Sequence, residues 1–356
     1  MAILFGRDYS RGDLQKRVGD LLQVAGIRLM TLAEGSESGV RIVDVRSGSG
    51  LRFQISLDRG MDISIADYKG IPLAWRSPAG DVHPSYYDPQ GFGWARSFPG
   101  GLLTGCGLTY LGAPCVDGGE ELGLHGRLSN TPAVDVKTAT QWIDDRCVFT
   151  VDGAVRESIL FGHDLILRRT IEIELGESII TLRDVVSNEG YHQSPFMILY
   201  HINAGWPLVD EDARLLLDAA STAPRDEEAA KGLERATMMS APLPEFKEQV
   251  FYHDLKADGM GMATALLANM KLKLGLFVRY RQAELPRFTE WKMMGEGAYV
   301  LGMEPANCWV EGRARERERG TLQFLEPGEQ KTISLQIGIL DGNEAIDNFA
   351  KEYNLQ

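Results

Sequence analysis

Three side chains able to carry a proton near neutral pH stand in comparable settings in this sequence. They are His125 in GLHGRLSN, His201 in ILYHINAGWP and Glu304 in VLGMEPANCW. Each follows an apolar run and precedes a Gly, Asn or Pro. Read as strands that break, these segments would each hand a titratable group from a sheet to a cleft, and a strand end fixes such a group better than a mobile loop does. A carboxylate after YVLGM is costly unless it is hydrogen-bonded or used in chemistry. Partial burial raises its pKa, which suits a general base near neutrality, and imidazole can give or take a proton in the same range. Each residue also has a plainer reading. Glu304 could be capped by backbone N–H groups, and either histidine could be satisfied by a carbonyl in the core. His163, His192 and His253 lie in turn-like or charged contexts and read as structural or exposed. His83, beside aromatic residues, could reach a cleft.

The elements that must position these groups read mainly as strands. LRFQISL (51–57) alternates, and MDISIADYKG runs to a turn at Lys69-Gly70. RCVFTV (146–151) is followed by Asp152-Gly153, a hairpin signal. LILRRTIEIEL (165–175), the turn GES, IITLRDVV (179–186) and the turn SNEG continue the pattern. TLQFL, EPGEQ and TISLQIGIL read as another strand–turn–strand pair near the end. Residues 12–25 carry Leu14, Val18, Leu21 and Leu22 at helical spacing and predict a short amphipathic helix. Turns every 8 to 12 residues, with no alternation of strand and long helix, predict an all-β, antiparallel sandwich or barrel-like fold rather than a doubly wound one. The expectation is a single domain over 1–356, with residues 1–30 partly helical and packed on it. Residues 225–235 read as a solvated, partly helical insertion, and EGRARERERG (311–320) as an exposed charged strand or loop. The irregular stretch 76–119, rich in Gly, Pro and aromatic residues, reads as functional.

Composition excludes several function classes. The chain has 356 residues, 44% hydrophobic and 24% charged, with a net charge of −13. Such an acidic surface repels nucleic-acid phosphates and anionic membranes. Cys106, Cys115, Cys147 and Cys308 form no zinc-type spacing and read as reduced, intracellular thiols. The first residues lack an apolar signal core, and no run reaches the roughly 20 apolar residues of a membrane helix, so the expected location is cytoplasmic. There is no P-loop, G-x-S-x-G or H-E-x-x-H, and GCGLTYLG has its glycines misplaced for a dinucleotide fingerprint. No cofactor and no metal is expected.

The order LHG, LYHINAG, LGMEP resembles the galactose mutarotase-like superfamily. More closely, DRGMDI (58–63), LHGRLSNTPA (124–133), WKMMGEG (291–297) and LGMEPANC (301–308) resemble a bacterial subgroup of uncharacterised aldose 1-epimerase-like proteins. The resemblance covers nearly the whole chain and implies a large antiparallel β-supersandwich. It implies that Glu304 is the general base at the anomeric hydroxyl, that His201 is the general acid at the ring oxygen, and that His125 binds near that oxygen. The partner would be a small-molecule sugar, and the assembly a monomer or homodimer. Mutarotases also hold the sugar with an arginine before the first histidine and an aspartate between the second histidine and the glutamate. Arg59 and Arg96 are the arginines available here. Asp210 and Asp254 match the aspartate only weakly. Arg127, Trp291, Lys292, Asn307 and Arg313 lie near the motifs and read as further substrate contacts, which leaves an acidic or modified sugar open. Among the tryptophans, Trp94, Trp206, Trp291 and Trp309 lie where one or two could stack on a sugar. Two other functions stay open at this stage: a metal-assisted isomerase or epimerase acting on a keto or acidic sugar through the same three residues, and a non-catalytic carbohydrate-binding protein.

Overall fold

A computed structural model describes all 356 residues. The architecture is all-β, in antiparallel sheets, with four short α-helices. Two large sheets dominate. One has eight strands, in the order 134–143, 146–158, 164–174, 179–188, 330–341, 274–281, 262–269, 213–217. The other has seven, with the path 219–224, 249–255, 287–295, 298–306, 194–205, 323–325, and strand 104–108 added against 194–205. A five-stranded meander over residues 26–72 packs with them. The apolar faces of all three sheets meet in one continuous core that includes Phe53, Ile63, Phe149, Leu182, Ile202, Leu267, Met303 and Ile337. Burial of alternate residues, as in Arg146–Ser158 and Asp164–Glu174, is what the period-two pattern demands of strands with one face on a core.

Several local expectations change. The helix predicted for 12–25 is a single turn, Arg11–Gln15, closed at its start by a Ser10–Asp13 capping box. It stops before Gly19, and a 3-10 turn Leu21–Gln23 follows, capped by Asp20. Gly and a second N-cap residue interrupt the period, and Leu22 stays exposed. Asp152-Gly153 is not a turn: strand Arg146–Ser158 runs straight through it. A Cβ at Gly153 would lie 2.5 Å from Met61 Sδ, so the glycine admits a core methionine rather than reversing the chain. Segments 323–325 and 330–341 do not pair with each other. The first joins 194–196 in the seven-stranded sheet and the second joins 179–187 and 274–280 in the eight-stranded one. The run expected as an exposed strand or loop at 311–320 contains a helix, Arg313–Arg319, with Arg313 and Glu316 buried.

The sheets are clamped behind the site by a buried ionic cluster. Arg169 donates two hydrogen bonds to Asp184, at 2.9 and 2.7 Å, and reaches the Gly60 carbonyl and Asp62. Tyr200 donates to Asp184, and the Gly105 N–H donates to Asp62, each at 2.8 Å. Tyr200 and Gly105 belong to the strands that carry His201 and its neighbour Thr104, so this cluster ties the site-bearing sheet to the opposite one. The DRGMDI motif is thereby structural: Asp58 pairs with Arg41, Arg59 pins a loop, and Asp62 joins the clamp.

Candidate active site

His201 lies within strand Ser194–Gly205 and Glu304 within strand Ala298–Ala306, not at strand ends as the breaks in sequence suggested. The pairing register, with Leu199 opposite Ala306 and Ile202 opposite Met303, sets His201 directly across from Glu304. Cross-strand partners share a face and bring their Cβ atoms to about 4.5–5.5 Å. The row continues with Thr104 beside His201 and Thr289 then Tyr252 beyond Glu304. The next row on the same face holds Gly302, Trp291 and Val250. Here glycine leaves room for the pair. A Cβ at Gly302 would lie 2.6 Å from Glu304 Oε1 and 3.3 Å from His201 Cε1.

His201 Nε2 and Glu304 Oε1 are 3.2 Å apart, and both side chains are almost wholly buried. Glu304 Oε1 and His201 Nδ1 have no hydrogen-bond partner. Burial raises the Glu304 carboxyl well above its usual range, with the nearby Glu248 carboxylate adding to the effect and Arg225 opposing it. Burial lowers His201 well below the ordinary histidine value, and His125 lowers it further. Both shifts have the same cause, the loss of hydration by the charged form. Both shifts favour the uncharged forms, a protonated Glu304 and an unprotonated His201.

His125 comes from the loop between strand Glu120–Leu122 and the 3-10 turn Leu128–Asn130. Its backbone sits at φ 55°, where a non-glycine residue is uncommon, and is held there by hydrogen bonds to Gly107 and Gly112. Its ring lies 5.9 Å from that of His201, centroid to centroid, and 4.8 Å from that of Trp94. Burial lowers its pKa to about 4, and Nδ1 is without a partner. The three expected residues thus converge on one cleft of about 950 Å³. Trp75, Trp94, Phe98, Leu124 and Trp291 form an aromatic-rich wall around them. Arg225, Asp226, Glu248, Glu311 and Arg315 also line the cleft. No group of three or more His, Cys, Asp or Glu side chains has the arrangement of a metal site.

Of the other expected contacts, Trp94 and Trp291 line this cleft. Lys292 follows Trp291 in the same strand and therefore points through the opposite face, where its ammonium donates to the carbonyls of Arg235, Ala236 and Met238. Arg59 is buried behind the wall and donates to the Val82 and Ser97 carbonyls and to Asn130 Oδ1. Arg313 is held by Asp117 and Glu120. Asn307 bonds the backbone of Ile198 and Phe196, joining two strands. Arg96 is exposed and does not line the cleft. Arg127 lies over Tyr87 and lines a different cavity with Glu120, Glu157 and His163. Asp210 and Asp254 are also outside the cleft, as are Trp206, which is exposed, and Trp309, which stacks on Tyr252.

Sequence reasoning missed Trp75, Phe98, Thr289, Arg225 and Glu248. Glu248 accepts from Trp291 Nε1 at 2.8 Å and from Arg225 at 3.1 Å, fixing the indole beside the acid–base pair. Strand alternation alone would have found Thr289 and Met293 once Trp291 was chosen, and would have rejected Lys292. Arg225 and Glu248 carried no local signal, since they sit in charged segments that read as solvated surface.

Residues 37–339 match the family described as Domain of unknown function (DUF4432). No curated protein matches. Among solved structures, the chain is similar to a Klebsiella pneumoniae protein provisionally described as an aldose 1-epimerase, with 26% identity over 92% of this chain and 86% of that one, and a TM-score of 0.88. A galactose mutarotase-like protein from Clostridium acetobutylicum is similar at 14% identity, 90% and 99% coverage and a TM-score of 0.61. The galactose 1-epimerase of Lactobacillus acidophilus is similar at 13% identity, 90% and 100% coverage and a TM-score of 0.57. The last two likenesses speak for the fold alone. The match over 37–339 places this chain in the DUF4432 family, on a galactose mutarotase-like fold.

Proposed function

We propose that this protein is an aldose 1-epimerase-type isomerase that opens and recloses a sugar ring by acid–base catalysis. The observation that supports this most is the cross-strand pair: His201 Nε2 and Glu304 Oε1 at 3.2 Å, each with an unpartnered polar atom, at the floor of an aromatic-walled cleft. Mutarotation needs one acid and one base at the same carbon, and this pair sets a carboxyl beside an imidazole. Burial favours the proton on Glu304, so the cycle begins as that proton passes to His201 Nε2 across the 3.2 Å contact; Glu304 then takes the anomeric O1 proton while His201 gives its own to the ring oxygen. The C1–O5 bond breaks as the C1–O1 double bond forms. Rotation about C1–C2 presents the other face of the aldehyde, and closure returns both protons. No net proton leaves the pair, so the cycle needs no cofactor. A placed acid and base each contribute roughly 10²–10⁴-fold. His125, held neutral, is suited to hydrogen-bond the sugar near O5. Trp291, oriented by Glu248, offers a face for the sugar's C–H groups.

The test is the optical rotation, or the anomeric proton NMR signal, of freshly dissolved galactose, glucose, a pentose, a 6-deoxy sugar and a uronic acid. Wild-type protein should speed equilibration of at least one, and Glu304→Gln of none. Failure of the wild type on every sugar removes the assignment.

A further inference from the structure

We infer that the cleft is shaped for a neutral reducing saccharide of at least two rings, with its reducing unit at His201 and Glu304 and its second ring against Phe92. This rests on the anomeric reading above and names the substrate class for that site.

Size is the first ground. The cleft, about 950 Å³, stands at the upper end of the range of roughly 300–1,000 Å³ in which drug-sized ligands are enclosed. A single pyranose has about a dozen heavy atoms, well below drug size, and would leave most of this space to water. The second ground is Phe92. It lines the cavity, two residues from Trp94, yet is 72% exposed. An aromatic ring left open on a cleft wall, and packed against none of the rings around His201, is a second stacking platform for an apolar sugar face.

Charge supplies the third ground. Two guanidinium groups line the cleft, and each faces a carboxylate of the protein. Arg225 is held by Asp226 at 2.8 Å and Glu248 at 3.1 Å, and Arg315 faces Glu318 at 2.7 Å. Against these two stand Asp226, Glu248 and Glu311. A phosphate or carboxylate on the sugar would enter a site where carboxylates outnumber cations. The other cations near the motifs, Arg59, Lys292 and Arg313, are buried in other contacts.

Trp75, Trp94 and Trp291 line the cleft, so their fluorescence reports occupancy without requiring catalysis. Wild type and Phe92→Ala would be titrated with glucose, galactose, cellobiose, lactose, maltose, glucose 6-phosphate and glucuronate. The expected result is that at least one disaccharide binds about tenfold more tightly than either neutral monosaccharide, a difference of about 1.4 kcal/mol. The anionic sugars should bind more weakly than glucose. In Phe92→Ala the disaccharide advantage should fall to about twofold or less. Because Phe92 is exposed, the fold should tolerate its loss. The inference is overturned if monosaccharides bind as tightly as every disaccharide, if an anionic sugar binds tightest, or if Phe92→Ala leaves the disaccharide advantage intact. Disaccharide binding without any anomer exchange would keep this inference and sink the catalytic reading. No binding by any sugar would sink both.

Discussion

The seven-stranded sheet carries two buried histidine–glutamate pairs, one on each face. His201 and Glu304 face the cleft, 3.2 Å apart. His253 and Glu290 face the interior from neighbouring strands, 2.9 Å apart, with side chains wholly inaccessible. In composition and distance they are nearly the same object, but their surroundings differ. His253 has both ring nitrogens engaged, Nε2 by Glu290 and Nδ1 by Thr222 Oγ1 at 2.9 Å. His201 leaves Nδ1 without a partner, and its pair opens on a cavity. A histidine whose two nitrogens are both committed to the protein holds a structure together. One with spare hydrogen-bonding capacity, beside space for a ligand, can exchange a proton with something that arrives. Pairing is therefore not the mark of a site, nor is an unpartnered atom alone, since Glu290 Oε1 lacks a partner too; what marks the first pair is that its unused capacity borders a cavity.

The contrast can be broken most sharply at the carboxylates. Glu304→Gln should lower the rate of anomer exchange by about 10²–10⁴-fold while leaving urea stability close to wild type, because a buried, unpartnered carboxyl is exchanged for an isosteric neutral amide. A comparable rate loss in Glu290→Gln would erase the distinction between the two pairs. Gly302→Ala should follow, with a rate loss of about 10²-fold, since its methyl group would displace Glu304 or His201 by a fraction of an ångström to an ångström. A slowed rate with unchanged circular dichroism would locate the effect at the pair. A wild-type rate in this variant would mean that the close packing at Gly302 does not hold the pair in place.

His253→Ala should act in the opposite sense. It should cost about 3 kcal/mol in denaturant stability, through a core cavity and two abandoned hydrogen-bond partners, and change the rate only a few-fold. A large rate loss with intact stability would contradict the assignment of that pair to structure.

The smallest effect concerns pH. Burial puts the folded pKa of His125 at about 4, below its unfolded value near 6.5. Its contribution to stability is therefore complete above pH 6.5 and lost as pH falls through about 4. Glu304, raised by burial, runs the other way, its contribution being complete below the ordinary carboxylate pKa and lost as pH rises. His125→Gln should accordingly flatten the acid limb of a stability–pH curve between pH 6.5 and 4. The effect should be at most about 3 kcal/mol, because the imidazole borders the open cleft. An unchanged limb would mean that His125 is not held neutral by its surroundings.

These comparisons also mark how far the sequence could be read. His125, His201 and Glu304 were legible because each polar group interrupts an apolar run, and burying such a group demands a reason. The antiparallel all-β class was legible from period-two burial and frequent turns. The cations that line the cleft were not. The family pattern suggested Arg59, and proximity to a motif suggested Lys292 and Arg313, whereas neighbours along a strand point to opposite faces and residues near a helix can be drawn into ion pairs. The Asp152-Gly153 signal failed for a related reason: glycine serves close packing as well as turns, and the Met61 side chain that needs the space comes from a distant segment.

The sequence by itself determined the strands, the acidic surface and the identity of the groups able to exchange a proton, because these follow from local chemistry and periodicity. Only the tertiary structure decided which histidine meets which glutamate and what surrounds them. That choice is set by strand register, by the absence of a side chain at Gly302 and by loops from residues 75–125 and 225–250 that converge on one face of the sheet. Each of these is a contact between segments far apart in the chain, where the sequence pattern of any one segment says nothing about its partner.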